Sequence, residues 1–382
     1  MTARVQVSPD LLRWACERTG HGMEAFESRF PHLAEWVSGT ASPTLKQLEK
    51  LAKATYTPIG YLFLSAPPEE RVPIPDFRTA ATQRAHRPSP DLLEMIYVCQ
   101  QRQEWYRDFA RSMGDKPLPF VGSVRQADDV VAVAADIRNA LGFDLEARRK
   151  MPTWTDALRH FIEQADSAGM MVMSSGVVLN NNRRHLDPAE FRGFAMADEL
   201  APVVFINGAD TKAAQMFTLA HELAHIWLGQ SAVSDAEPAR LPDQTVERWC
   251  NRVAAELLVP LSILKAEYAP SAELRIELDR LARRFKVSTL VILRRIHDAG
   301  GLTWEQLWEQ YEREVARLRS LPKGSGGNFY LTQAARVSKR LARALVVSTW
   351  EGRSSFTEAF RLLGIKKMET FRGMGESLGV GI

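Results

Sequence analysis

Apolar residues recur every three or four positions along most of the chain, which is the period of helices with one buried face. In "SPDLLRWACERTG", at residues 8–20, Ser8 is a candidate helix cap. "SPTLKQLEKLAKA", at residues 42–54, opens with Ser and Pro, which is typical of a helix start. One face of the first predicted helix carries Leu11, Leu12, Ala15 and Cys16. One face of the second carries Leu45, Leu48, Leu51 and Ala52. "PIGYLFL" is predicted to close this region as an apolar helix or an extended plug.

The middle of the chain is predicted to combine helices with two short strands. A long amphipathic helix covers residues 90–112, and two later helices end at Gly142 and Gly169. "MMVMSSGVV" and "APVVFING" are short apolar runs bounded by turn residues, which is typical of strands. The remaining predicted helices are "QTVERWCNRVAAELLVP", which stops before Pro260, a pair in 272–298 around the turn "FKVS", and a charged helix at 303–320.

These elements predict a mainly helical α+β fold with five regions. The proline cluster "APPEERVPIPDF" and the stretch "PKGSGGN" are predicted linkers, extended and flexible respectively, and residues 230–243 form a predicted polar loop. The predicted regions are a helical domain at 1–66, a linker with the amphipathic helix at 67–124, a core with a small sheet at 125–265, a helical extension at 266–322, and a small basic domain at 323–382.

Composition places the chain among ordinary globular proteins. Hydrophobic residues make up 45% and charged residues 25% of its 382 residues, and the net charge is +3. The three cysteines are far apart and form no C-x-x-C pair, which suits a reducing compartment. The N-terminus lacks the apolar core of a signal peptide, and no run of 18 apolar residues occurs. We therefore expect a cytoplasmic protein without membrane partners.

The stretch "FTLAHELAHIWLG" carries the candidate chemistry. His221 and His225 are four residues apart, so on a helix both imidazoles face one side and can bind one metal ion. Glu222 lies beside the first histidine, where its carboxylate can take a proton from a water on the metal. The alternative is a buried helix with hydrogen-bonded histidines. Apolar neighbours favour the metal site, because two histidines and a glutamate are costly in such a helix unless they are paired.

A catalytic zinc also needs a third protein ligand. The helix "VERWCNRVAAELLVP" offers two carboxylates, Glu247 and Glu256, which follow His225 by 22 and 31 residues. Spacing alone does not separate them. On a helix, however, Glu247 shares a face with Asn251, whereas Glu256 projects elsewhere. Cys250 is a further possible ligand.

"FTLAHELAHIWLG" followed by "VERWCNRVAAELLVP" resembles the ImmA/IrrE family of metallopeptidases, and the resemblance covers roughly Val130 to Pro260. It implies a zincin-like core and one Zn²⁺ per chain, held by His221, His225 and Glu247, with Glu222 as the catalytic base. "APVVFING", just before the histidines, is either an edge strand on which an extended substrate pairs or an internal strand.

Residues 1–66 resemble an XRE-type helix-turn-helix domain in the pieces "EWVSG", "SPTL" and "LEKLAK". They depart from that pattern, because the stretch from Ala25 to Trp36 is about two residues short for two helices and a turn. "PHLAEW" also lacks Arg, Lys, Asn and Gln, and residues 1–64 carry seven basic and six acidic side chains. DNA binding and protein contact or dimerisation both remain open for this domain.

Basic residues cluster in two later segments. "LARRFKVSTLVILRRI" indicates either DNA contact or a packing extension with solvated arginines. Residues 323–382 hold ten Lys or Arg against four Asp or Glu, which is either a nucleic-acid contact or a solvated helix face.

The sequence thus predicts a cytosolic zinc-dependent regulatory endopeptidase. The resemblance implies a specific protein substrate, such as a transcriptional repressor or a toxin-like partner, and control of a stress-response or mobile-element operon. The alternative is a DNA-binding regulator or antitoxin whose metal site is structural or vestigial. For either function a homodimer is a possible assembly. An intact Glu222 favours the enzyme, because a structural zinc site needs no base beside its ligand.

Overall fold

The computed structural model describes residues 4–78, 87–234, 245–320 and 335–380. The predicted linker "PKGSGGN" and most of the predicted polar loop at 230–243 lie outside those ranges. The described α-helices are Pro9–Glu17, Glu24–Glu27, Leu33–Ser38, Leu45–Ala54, Pro90–Met113, Val130–Leu141, Leu145–Arg149, Trp154–Ser167, Lys212–Leu228, Thr245–Leu258, Leu261–Glu267, Leu274–Phe285, Thr289–Asp298, Trp304–Ser320, Lys339–Trp350, Phe356–Leu363 and Met368–Ser377. Within these ranges, no helix is both long and apolar enough to cross a membrane.

The chain folds into two compact units. The first comprises Met1–Pro73 with Ala80–Ile96, and the second comprises Ile74–Thr79 with Tyr97–Ile382. A short segment of the proline-rich linker therefore belongs to the second unit, although it lies between two parts of the first in sequence.

The first unit packs its short helices around one apolar core. Leu11, Leu12, Ala15 and Cys16 are fully buried, as their predicted shared face requires. The prediction for Leu45 is wrong, because its side chain is 48% exposed while Leu48 and Leu51 are buried. The cap explains the offset: Thr44, rather than Ser42, forms the capping box with Gln47, so Leu45 is the first helical residue and lies in the exposed first turn. "PIGYLFL" contains a 3₁₀-helix, Ile59–Phe63, that buries Leu62.

The second unit contains a four-stranded sheet. Its strands are β1 (Met171–Ser175), β2 (Gly193–Met196), β3 (Val203–Asn207) and β4 (Ala232–Ser234), in the spatial order β1-β3-β2-β4. β1 runs parallel to β3, and β2 runs antiparallel to both β3 and β4. The predicted strands correspond to β1 and β3. β2 and β4 were not predicted, because runs of four and three residues carry no readable period and depend on their partners.

β3 is an internal strand. It pairs with β1 on one side and with β2 on the other, and all five of its residues are buried. The interpretation of "APVVFING" as a substrate-binding edge strand is therefore wrong. A strand buried on both faces reads as a continuous apolar run whether its backbone edge is free or paired, so the sequence could not separate the two cases.

Two helices form the centre of the second unit, and one of them lies against the sheet. We call Lys212–Leu228 the histidine helix and Thr245–Leu258 the glutamate helix. The histidine helix packs against the glutamate helix and against β2 and β3, and Val130–Leu141 packs on the glutamate helix. Large apolar side chains, among them Phe161, Phe217, Trp227 and Leu257, fill the core between these elements.

The segment "LARRFKVSTLVILRRI" packs onto this core. Its two helices meet at Lys286, which has a positive φ of 52°, as the predicted turn requires. Arg284 forms ion pairs with Glu146 and Glu267, and Arg295 is buried against Glu256. The segment therefore packs as the packing-extension alternative expects, but Arg284 and Arg295 are paired and largely buried rather than solvated.

The basic C-terminal region is a small helical assembly tied to the sheet by polar contacts. The Ser338 hydroxyl donates to Asp166 Oδ1 over 2.9 Å, and Asp166 also accepts from the backbone amide of Val172, the second residue of β1. Arg102 Nε donates to the carbonyl of Leu362 over 2.9 Å. These buried bonds attach the region to the same unit as the sheet.

Candidate metal centre

The histidine helix is held at both ends. Its first turn is capped by Thr211, whose hydroxyl accepts from the amide of Ala214. At its last turn, the carbonyls of Ile226 and Trp227 accept the amides of Gly122 and Val124, each over 3.2 Å. Satisfying these terminal groups fixes the axis of the helix, and with it the direction of the side chains one turn earlier.

His221 and His225 project together from the same face. Both side chains are fully buried, and their ring centroids lie 5.0 Å apart. The two Nε2 atoms approach each other to 3.2 Å. The i, i+4 spacing therefore gives the convergence that the sequence predicted.

The glutamate helix brings one carboxylate to this pair. Glu247 Oε2 lies 3.1 Å from Nε2 of His221, and Oε1 lies 2.9 Å from Nε2 of His225. Among the described residues, these three side chains form the group whose ligand atoms could hold a metal ion, all within 4.8 Å of one another.

Glu256 lies elsewhere. It follows Glu247 by nine residues, about two and a half helical turns, which puts it on the opposite side of the glutamate helix. There its carboxylate pairs with Arg295. Cys250 is buried in the apolar core, and burial raises the pKa of its thiol well above the usual value.

The spacing of the donor atoms fits a tetrahedral zinc ion. Bonds of about 2.0–2.1 Å to a tetrahedral ion place neighbouring ligand atoms roughly 3.3–3.4 Å apart. The separations of 3.2, 3.1 and 2.9 Å between the two Nε2 atoms and the Glu247 oxygens are close to that value. Two imidazoles and one carboxylate are also the donor set of catalytic zinc sites that leave a fourth position open.

Asn251 orients His221. One turn after Glu247, its Oδ1 lies 2.9 Å from Nδ1 of His221. An amide oxygen only accepts, so Nδ1 carries the proton and the lone pair of Nε2 faces the site. The glutamate helix thus supplies a candidate ligand and the residue that orients a second one.

Glu222 is the most isolated polar group of the site. Its side chain is fully buried, and neither carboxylate oxygen has a hydrogen-bond partner among the described residues. Burial raises the pKa of this carboxyl to about 8, opposed by His221 and assisted by Glu247. A carboxyl with a raised pKa can both accept and return a proton near neutral pH.

Gly193 leaves the space for that carboxylate. A Cβ at this position of β2 would lie 3.1 Å from Oε1 of Glu222 and 2.6 Å from Cγ2 of Thr218. β2 can therefore approach the histidine helix only because residue 193 has no side chain.

The remaining site groups carry opposite charges. Burial opposes ionisation of Glu247, but the two histidines outweigh it and lower the carboxyl pKa to about 2. Burial likewise lowers the pKa of His221, and the Glu247 carboxylate outweighs it, raising that pKa to about 9. Burial lowers the pKa of His225. His221 and Glu247 thus each favour the charged form of the other.

Sequence reasoning missed three residues of the site. Asn251 stood in the quoted motif, one turn from Glu247, and that spacing was the available signal. Gly193 and Phe77 lie far from the motif in sequence, and no local pattern indicates them. Phe77 places its ring centroid 6.0 Å from that of His225.

Two family models match parts of the chain. Residues 165–297 match the IrrE N-terminal-like domain of the Peptidase_M78 family, and residues 337–377 match a domain of unknown function, DUF8813. No curated protein and no solved structure matches the chain. The first match supports the ImmA/IrrE resemblance and a metallopeptidase of this kind, over a range that begins and ends later than Val130 to Pro260. It contains both helices of the metal centre.

Proposed function

We propose that the chain is a zinc-dependent endopeptidase that hydrolyses a specific regulatory protein. The observation that carries the proposal is the convergence of His221, His225 and Glu247 around one point, with the unpaired Glu222 carboxylate beside them. A structural metal site would not need this fourth group, whereas peptide hydrolysis requires a base.

Each site residue has a separate role in the proposed mechanism. Zinc, when bound by His221, His225 and Glu247, would supply the Lewis acidity that activates water and polarises a peptide carbonyl. Glu222 accepts a proton from the attacking water and then returns it to the leaving amine. Asn251 holds His221 in the tautomer that directs Nε2 to the metal.

A transcriptional repressor or a toxin-like partner is the kind of substrate we propose, with control of a stress-response or mobile-element operon as the outcome. The buried site supports a selective enzyme, because the four central residues are at most 1% exposed and a general digestive site must be open. We further propose that the first unit recognises a partner. Its helix Leu33–Ser38 exposes Glu35 and no basic side chain, which favours a protein over DNA.

Glu222→Gln tests the proposal directly. We expect the variant to keep one zinc per chain, measured by elemental mass spectrometry, and to lose peptide cleavage by at least about 100-fold. Cleavage is followed by mass spectrometry on a proteome-derived peptide library after prolonged incubation. Glu369→Gln, at an exposed glutamate, is the matched control and should behave as the parent chain. Equal cleavage by the Glu222→Gln variant and the parent chain would show that Glu222 is not the base.

A further inference from the structure

A short segment of the proline-rich linker adds to the sheet. We call Ile74–Arg78 the strap. Its backbone pairs in parallel with β4: the amide of Val233 donates to the carbonyl of Pro75, and the amide of Phe77 donates to the carbonyl of Val233, each over 2.9 Å. Since β2 occupies the other side of β4, the outward backbone groups of Val233 are both taken by the strap.

This edge of the sheet borders the candidate base. Ser234 of β4 is opposite Gly193 of β2, the residue whose missing side chain leaves room for the Glu222 carboxylate. An extended peptide that paired with the outer edge of β4 would therefore lie one strand away from the catalytic carboxylate. Edge pairing of this kind is a general way for a protein to bind an extended segment.

Side chains fasten the strap in this position. The Phe77 ring lies against the His225 imidazole, with 6.0 Å between the centroids. The Arg78 side chain is only 3% exposed and donates to both oxygens of Asp76, at 2.9 and 2.7 Å from Nε and Nη2. Its Nη1 also reaches Glu190, in the loop before β2, at 3.5 Å. A buried arginine paired this way resists displacement more than a surface pair does.

We propose that the strap is an internal competitor for the substrate: it occupies the outer edge of β4 and covers the metal ligand His225 until an extended segment of the substrate displaces it. This inference rests on the proposed peptidase function. It identifies the bound form of the substrate as an extended strand, and it makes the chain latent when no such strand is present. The segment that displaces the strap must replace two backbone hydrogen bonds to Val233 and the aromatic cover on His225.

Two variants loosen the strap, and one serves as control. Phe77→Ala removes the cover from His225, and Arg78→Ala removes the bonds to Asp76 and Glu190. Arg71→Ala is the matched control, because Arg71 is exposed and forms an ion pair with the equally exposed Glu69. All three are made in the full-length chain.

Three measurements test whether the strap competes with the substrate. The first is the rate at which the zinc-loaded chain yields zinc to a chromogenic chelator. The second is amide hydrogen exchange at Val233 in the metal-free chain, with Phe205 of β3 as an internal reference. The third is cleavage of the peptide library. We expect Phe77→Ala and Arg78→Ala to raise all three by about tenfold or more, as loss of a local closed state does, and Arg71→Ala to raise none.

The outcomes separate the strap from the proposed function. If zinc release, Val233 exchange and cleavage all stay at the parental rates in both strap variants, the proposal that the strap competes with the substrate is wrong. Faster zinc release and exchange without faster cleavage also overturn it, because the strap would then cover the metal without excluding substrate. If the chain binds no zinc, the proposed peptidase function is refuted, and competition for substrate is refuted with it. Amide exchange at Val233 then still reports whether the strap pairs with β4.

Discussion

Asn251 Oδ1 lies 2.9 Å from Nδ1 of His221, so the glutamate helix fixes the tautomer of a histidine on the neighbouring helix. The bond spans 30 residues of sequence, and it links the two motifs of the site through one proton. This relationship, together with the other contacts of the site, leads to four predictions.

Asn251→Ala should weaken zinc binding by about 10- to 100-fold, because His221 loses the acceptor that aims its Nε2. Competition titration with a chelator of known affinity measures the change. Asn251→Asp keeps an acceptor oxygen and should retain most of the affinity. Asn139→Ala, at an exposed helix position, is the control. Unchanged affinity in Asn251→Ala would remove Asn251 from the site.

The two glutamates of one helix should behave oppositely on substitution. Glu247→Gln should abolish stoichiometric zinc binding, because a neutral amide is a poor replacement for the carboxylate that contacts both histidines. Glu256→Gln should keep zinc but destabilise the fold by about 3 kcal/mol, since it leaves the buried Arg295 without its closest partner. Elemental analysis and urea denaturation distinguish the two effects. Loss of zinc in Glu256→Gln with Glu247→Gln unaffected would reverse the assignment.

Gly193→Ala should destabilise the chain by about 1–3 kcal/mol through overpacking. The new Cβ would lie 2.6 Å from Cγ2 of Thr218 and 2.9 Å from the backbone oxygen of Phe205. Adding Thr218→Ser removes the methyl contact but not the backbone one, so it should restore only part of the stability. Gly60→Ala meets no atom within 4 Å and is the control. Thermal and urea denaturation measure all of these, and equal stability of Gly193→Ala and Gly60→Ala would contradict the close approach.

Asp166 should make stability depend on pH. Burial raises the pKa of its carboxyl from 3.8 to about 6, against the hydrogen bonds from Val172 and Ser338 that favour the charged form. The folded chain therefore holds this proton more tightly than the unfolded chain does. The stabilisation is complete below about pH 4 and is lost as the pH rises through about 6, with a total of about 3 kcal/mol.

Asp166→Asn should flatten that dependence. The free energy of unfolding, measured in urea from pH 4 to 7, should fall less steeply in this variant than in the parent chain. Asp115→Asn, at an exposed aspartate, should leave the parental slope. Parallel curves for the parent chain and Asp166→Asn would show that Asp166 does not titrate as its burial requires.

The sequence was informative about the site where spacing on one helix determines geometry. His221, Glu222 and His225 are neighbours on a helix face, so their convergence follows from the helical repeat. The spacing of Glu247 and Glu256 along the glutamate helix indicated that they lie on opposite faces. Which of these faces meets the histidines depends on how the two helices pack, which the sequence does not give. Phe77 and Gly193 reach the site only through the sheet, so no local pattern marks them.

For the fold, long periodic helices were predictable and short strands were not. Pro90–Met113 and Trp304–Ser320 each repeat an apolar face over several turns. β4 has three residues and exists because β2 and the strap pair with it on both sides. β3 was recognised as a strand, but the sequence left open whether it lies at an edge or inside the sheet, since the neighbours of a strand are set by the whole topology.

The two outer strands of the sheet have consequences for how the protein can be divided. The strap pairs with β4, and the helix Lys339–Trp350 packs against β1. Both of these elements lie outside residues 165–297, the range that matches the peptidase family. A fragment cut to that range would expose unpaired backbone at β4 and strip β1 of its helix, and exposed strand edges promote self-association. The compact unit that contains the sheet therefore extends beyond the matched residues on both sides.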